Sequence, residues 1–149
     1  MDKYSKKGKE FFLKGYNCAQ SVFCAFSDEL GIDFETALKL SSSFGGGMGR
    51  LREVCGAVSA MFLIVGLKYG YTEPNNDEIK ESHYERIQNL AKEFEKTNGS
   101  IICRELLNLD LKYDIPTPEK RNEQYYKDRP CLKLVESACE ILYNYISNQ

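Results

Sequence analysis

The chain has 149 residues, 42% of them apolar, with 20 basic and 22 acidic side chains and a net charge of −2. That length fits one domain over residues 1–149, with enough buried surface to fold without disulfides or a structural metal. The charges are mixed in sign, no basic stripe occurs, and zinc-finger and RNP signatures are absent, so nucleic acid is not an expected partner.

The start, Met1-Asp2-Lys3-Tyr4-Ser5-Lys6-Lys7, is not followed by an apolar segment of the signal-peptide kind. The longest apolar run, Val54 to Leu67, has 14 residues interrupted by Ser59. As a helix it reaches about 21 Å, short of the roughly 30 Å hydrocarbon core. A buried core helix is expected there, no membrane span, and a cytoplasmic location. Six cysteines are too few for a disulfide scaffold. In a reducing cytosol they point to metal binding, catalysis or plain burial.

Helical periodicity dominates in chain order. Tyr4 to Lys14 is a short amphipathic helix with Phe11, Phe12 and Leu13 clustered at one end, stopped by Gly15. Asn17 caps a helix over Cys18 to Leu30, where Cys18, Val22, Ala25 and Phe26 share a face. Gly31 closes it. Asp33 caps Phe34 to Ser42, with Phe34, Ala37, Leu38 and Leu40 as the apolar side. Phe44-Gly45-Gly46-Gly47-Met48-Gly49-Arg50 is a glycine-rich loop. The core helix follows from about Arg52 to Tyr69 and ends at Gly70.

Pro74 to Asp77 is a turn and cap for a long helix to about Lys96, with Ile79, Tyr84, Ile87, Leu90, Ala91 and Phe94 expected inward. Asn98-Gly99-Ser100 ends it and opens a short helix through Cys103 to Leu107. Asp110 to Asp128 is polar and holds Pro116 and Pro118, an extended loop with room for one helical turn. The last helix runs from Cys131 to about Ile146, its buried stripe Leu134, Val135, Ala138, Leu142, Tyr145 and Ile146. The expected fold is all-α, a single-domain bundle of about six to eight helices with the glycine-rich loop before its central buried helix.

On this map Cys18, Cys55, Cys103 and Cys131 all fall near helix N-termini. Free N–H groups and the positive end of the helix dipole favour thiolate over thiol there. Arg50 and Arg52 precede Cys55, Arg104 follows Cys103, and Arg129 precedes Cys131, which adds to the expected lowering of the thiol pKa values. Thiolate is both the nucleophile of disulfide exchange and the metal-binding form, so both uses stay open. Cys24 and Cys139 sit mid-helix among apolar positions and are expected to be small core fillers. Clustered glycines let backbone N–H groups converge on an anion, a cluster or a thiolate. Gly45, Gly46, Gly47 and Gly56 are therefore candidate cofactor-binding positions; the alternative is a tight helix crossing. The loop is neither a Walker phosphate loop nor a dinucleotide fingerprint.

Gly15-Tyr16-Asn17-Cys18-Ala19-Gln20, Phe44-Gly45-Gly46-Gly47-Met48-Gly49-Arg50, and Cys55-Gly56-Ala57 followed by Gly66-Leu67 resemble the C_GCAxxG_C_C family of "putative redox-active proteins". The likeness runs over nearly the whole chain in order and spacing. It implies four family cysteines, here Cys18, Cys55, Cys103 and Cys131, and none at Cys24 or Cys139. One departure is Ala60, which stands where the motif ends in glycine. The resemblance supplies no substrate. No Cys-x-x-Cys-His occurs, which excludes covalent haem of that type.

A lone histidine, His83, rules out a two-histidine metal site and sits on a charged helix, where solvation is expected. Glu78, Glu81, Glu85, Glu93 and Glu95 form a solvated face. Tyr125, Tyr126, Tyr143 and Tyr145 are expected at core edges, or in a homodimer face if exposed together. Three functions follow: thiol/disulfide redox or electron transfer by Cys18, Cys55, Cys103 and Cys131 with a redox partner protein; an iron–sulfur cluster or zinc on the same four; or a helical interaction module with structural cysteines. An oxidoreductase activity fits the first.

Overall fold

In the computed structural model, which describes residues 1–149, five helix starts follow side-chain caps. Asp2 accepts from the N–H groups of Tyr4 and Ser5, Asn17 from Gln20, Asp33 from Thr36, Asn76 from Ile79, and Asn122 from Tyr125. Each bond satisfies a donor that the first helical turn leaves without a partner. At Asn17 the cap is reciprocal, because the Gln20 side chain accepts from the Asn17 N–H.

The helices are α1 (Lys3–Leu13), α2 (Cys18–Ser27), α3 (Phe34–Ser42), the single turn α4 (Gly45–Met48), α5 (Gly56–Tyr69), α6 (Asp77–Asn98), α7 (Cys103–Leu106), α8 (Glu123–Asp128) and α9 (Cys131–Ser147). A 3₁₀ turn over Asp28–Leu30 finishes the segment expected as the end of α2. The fold is all-α, and an antiparallel bridge between Val54 and Ile102 is its one β-like pairing. No helix is long and apolar enough to cross a membrane.

The core is a cluster of 22 buried residues drawn chiefly from α2, α5 and α9, with Phe12 of α1 and Leu90 and Phe94 of α6. Helix α5 lies along α2, and α1 packs on both α2 and α9. Side chains such as Phe12, Phe23, Met61 and Leu142 are essentially inaccessible, and each such burial contributes about 1.5–3 kcal/mol. Helix α5 is buried on nearly every side from Gly56 to Met61, as a run apolar all round requires. Cys24 and Cys139 sit inside this core, the filler role expected of them.

Three expectations need correction. The core helix begins at Gly56 and not at Arg52, because Arg52 to Cys55 is non-helical and pairs with Ile101 to Arg104. Cys55 N–H donates to Ile101 O at 2.8 Å, Cys103 N–H to Glu53 O at 2.6 Å, and Arg104 N–H to Arg52 O at 3.2 Å. Ile79 and Tyr84, expected inward, are exposed. Helix α6 buries only Leu90 and Phe94 fully, near its C-terminal end. In α3 Phe34 and Leu40 are exposed and only Ala37 and Ser41 are buried. A short helix at the margin of a bundle covers it with one or two positions, not a whole stripe.

Candidate thiol site

Each of four cysteines opens a helix. Cys18, Cys103 and Cys131 are the first residues of α2, α7 and α9, and Cys55 is the residue before α5. The four cysteines therefore sit at helix starts as expected, although α5 opens at Gly56, four residues past the expected Arg52. All four line one cavity of about 400 Å³, and Cys24 and Cys139 do not. The pairing of Arg52–Cys55 with Ile101–Arg104 is what joins Cys55 to Cys103 across 48 residues of sequence. All six sulfurs are free; Cys55 and Cys103 are buried, and Cys18 and Cys131 are half-buried.

The glycine-rich segment forms the wall between them. Gly46, Gly47, Met48, Gly49 and Arg50 all have φ between 63° and 70°, so five consecutive residues wind left-handed. Met48 N–H still reaches Phe44 O, and Gly49 N–H reaches Gly45 O, the i to i−4 spacing of a helix with the opposite hand. Glycine adopts this freely, whereas it costs Met48 and Arg50 about 1–2 kcal/mol each. Arg52, with φ 59°, adds a further left-handed residue. Strain of this kind is held only where surrounding contacts enforce it, and it concentrates at functional sites.

Arginine–carboxylate contacts supply that enforcement. Arg50 Nη2 donates to Asp114 Oδ2 at 3.0 Å, and its Nε donates to Ile115 O at 2.7 Å. Arg52, only 4% exposed, donates to the same Asp114 oxygen from Nε at 3.0 Å and Nη2 at 2.8 Å. Its Nη1 points to Cys103 Sγ at 3.6 Å.

The four candidate glycines divide by what they touch. Gly45, Gly46 and Gly56 line the cavity. Gly47 lies behind it, where a Cβ would come within 2.6 Å of Cys103 Cβ and 2.8 Å of Glu53 N. A Cβ on Gly45 would strike the Asn17 side chain at 2.4 Å, and one on Gly56 would strike Cys18 Sγ at 2.6 Å and Phe44 O at 2.7 Å. The absence of side chains thus lets the backbone close on Asn17 at Gly45, on Cys103 at Gly47 and on Cys18 at Gly56. Ala60, by contrast, is fully buried in the core and is not among the cavity-lining residues, so the extra methyl group there does not touch the site.

Against known proteins, residues 16–145 of 149 match the sequence pattern of the family described as "Putative redox-active protein (C_GCAxxG_C_C)". The chain belongs to this C_GCAxxG_C_C family. No curated protein and no solved structure matches it. The four cysteines that the resemblance carries onto this chain are the four that share the cavity.

Electrostatics at the C_GCAxxG_C_C cysteines differ from the helix-start expectation. Burial first, then the Cys18 charge, push the Cys55 thiol well above its ordinary range, against the backbone N–H groups of Ala57 and Val58. Burial also raises Cys103, although Arg52 opposes it. Burial and the charges of Cys18 and Cys103 push Cys131 up to about 12, with the Tyr125 hydroxyl and Arg129 pulling the other way. Desolvation and like-charge repulsion therefore outweigh the helix starts and arginines at these three. A charge on Cys18 bears on all three of the others.

Two consequences follow for chemistry. Thiolates at this cavity would repel one another, and an uncharged disulfide removes that repulsion. Four thiols also match the donor set of zinc or an iron–sulfur cluster, yet no three His, Cys, Asp or Glu side chains are grouped as ligands of one ion. His83 is not among the lining residues; its Nδ1 faces Arg86 at 3.1 Å. Sequence reasoning missed Arg121, Tyr125 and Asp114, which the polar 110–128 segment brings to or beside the cavity. No local pattern marks them, because their partners lie up to 109 residues away.

Proposed function

We propose that the protein is a thiol redox protein that transfers two electrons by making and breaking a disulfide among Cys18, Cys55, Cys103 and Cys131. One observation carries this reading: four cysteines from four helix starts line one cavity, while the two remaining cysteines fill the core. Cys18 is the attacking thiol. It is half-buried where Cys55 and Cys103 are buried, and its sulfur lies against Gly56, next to Cys55.

In the reaction the Cys18 thiol gives its proton to solvent, and its sulfur attacks one sulfur of a disulfide R–S–S–R. The S–S bond breaks, one RS⁻ leaves and takes up a proton, and a mixed disulfide remains on Cys18. Cys55 then loses its proton and attacks the Cys18 sulfur, expelling the second RS⁻, which is protonated in turn. Two protein thiols are oxidised and one substrate disulfide is reduced to two thiols. The reverse sequence oxidises substrate thiols. Raised thiol pKa values slow the second attack but favour the closed bond, since a thiol of high pKa is a poor leaving group.

The test is a thiol count on fully reduced protein before and after equilibration with oxidised glutathione. A fall from six free thiols to four, abolished by Cys18→Ser, is expected; six thiols throughout contradict the proposal. A four-cysteine metal or cluster site is the second reading, favoured by the number and kind of donors at the cavity. Stoichiometric zinc, or iron with acid-labile sulfide, in protein purified without oxygen and lost on Cys55→Ser would establish it in place of disulfide cycling.

A further inference from the structure

The cavity carries more positive charge than its own carboxylates neutralise. Arg50, Arg52, Arg121 and Arg129 line it together with Glu119. Arg50 and Arg52 share the one carboxylate of Asp114, and Arg129 pairs with Glu119. Arg121 has no acidic partner. Its guanidinium donates to two backbone carbonyls, Phe12 O and Tyr16 O, the latter at 2.8 Å. It also lies 4.0 Å from the Phe12 ring centroid and 5.5 Å from that of Tyr125. Carbonyls and rings fix an arginine in place without cancelling its charge. Four guanidinium groups thus face two carboxylates, and the raised thiols of Cys55, Cys103 and Cys131 stay protonated near neutral pH.

Resting on the thiol reading above, we propose that the cavity selects a small anionic disulfide, with Arg121 as the residue that receives its carboxylate while Cys18 meets its sulfur. Guanidinium suits a carboxylate because its fork of donors matches the two oxygens. A cavity of about 400 Å³ falls in the size range of small-molecule sites. The covalent step is the exchange already written, with R bearing a carboxylate remote from the S–S bond. No atom of the anion takes part in the bond changes, so Arg121 governs binding and orientation.

The test compares two probes on reduced protein with Cys24 and Cys139 replaced by Ala: the dianionic 5,5′-dithiobis(2-nitrobenzoate) and the neutral 2,2′-dithiodipyridine. The rate ratio, anionic over neutral, is expected to fall about tenfold on Arg121→Gln, to be partly kept by Arg121→Lys, and to fall with added salt in the unsubstituted arginine protein. The salt series needs no arginine variant, so it stands even if Arg121→Gln misfolds. A ratio insensitive to both salt and Arg121 overturns the selectivity while leaving thiol exchange intact. Failure of both probes to react at Cys18, whether as an adduct or as a Cys18–Cys55 disulfide, overturns the thiol reading, and the selectivity with it.

Discussion

The sulfur of Cys18 rests on the backbone of Gly56: a Cβ placed on Gly56 would lie 2.6 Å from it and 2.7 Å from Phe44 O. The starts of α2 and α5 therefore meet with no side chain between them, and Cys18 is held beside Cys55. Gly56→Ala must push one of these helices or the Cys18 rotamer aside. A loss of about 1–3 kcal/mol, the usual cost of overpacking, is expected in urea unfolding, together with slower closure of the Cys18–Cys55 bond by oxidised glutathione.

Gly47 and Gly49 separate two costs that the left-handed turn combines. Both have positive φ, but a Cβ on Gly47 meets Cys103 and the Glu53 backbone, whereas one on Gly49 meets only Ser43 O at an ordinary 3.9 Å. Gly49→Ala is expected to lose about 1–2 kcal/mol, the left-handed penalty alone. Gly47→Ala should lose distinctly more. Equal midpoints in urea for the two variants would refute the steric part.

Asp114 holds two arginines, one of them buried, across the base of the left-handed turn. Asp114→Asn leaves both guanidinium groups without their anion and should cost about 2 kcal/mol, in the range of charged hydrogen bonds. The Arg52 hydrogen bond holds the Asp114 carboxyl below its ordinary pKa. Its contribution is therefore complete above the unfolded value near 4 and is lost as pH falls below that. The wild-type advantage over Asp114→Asn, followed by urea midpoints, should shrink below pH 4.

The raised thiols act at the opposite end of the scale. Cys131 has an ordinary value of 9.0 and is pushed up to about 12 in the fold. Above pH 9 the unfolded chain releases this proton before the folded one does, so the unfolded state binds fewer protons and stability falls as pH rises. The contribution is complete below pH 9 and is lost toward pH 12. Reduced wild-type protein should therefore lose more stability between pH 8 and 10.5 than Cys131→Ala does. Matching slopes would show that Cys131 ionises in the fold as it does in the open chain.

Local signals account for what the sequence discloses. Asn17, Asp33 and Asn76 cap their helices within three residues of their own position, and such caps are legible without a partner elsewhere. Of the four cysteines only Cys18 follows such a cap; α5, α7 and α9 start after Cys55, Ile102 and Pro130, which make no side-chain cap. The Arg52–Cys55 stretch reads as helix in the sequence because its partner lies 48 residues on. Likewise the glycines at 46, 47 and 49 announce positive φ, but Arg50 adopts it where its side chain meets Asp114 and Ile115, far along the chain. The thiol pKa values depart from the helix-start expectation for a related reason. Helix starts and neighbouring arginines are visible along the chain, and the burial that outweighs them is not.

Mapping disulfides by mass spectrometry, on reduced protein equilibrated with oxidised glutathione and then alkylated in acid, tests the cysteine assignment most directly. A Cys18–Cys55 bond with Cys24 and Cys139 alkylated as free thiols is the expected result. Six alkylated thiols, or a bond that uses Cys24 or Cys139, would contradict it.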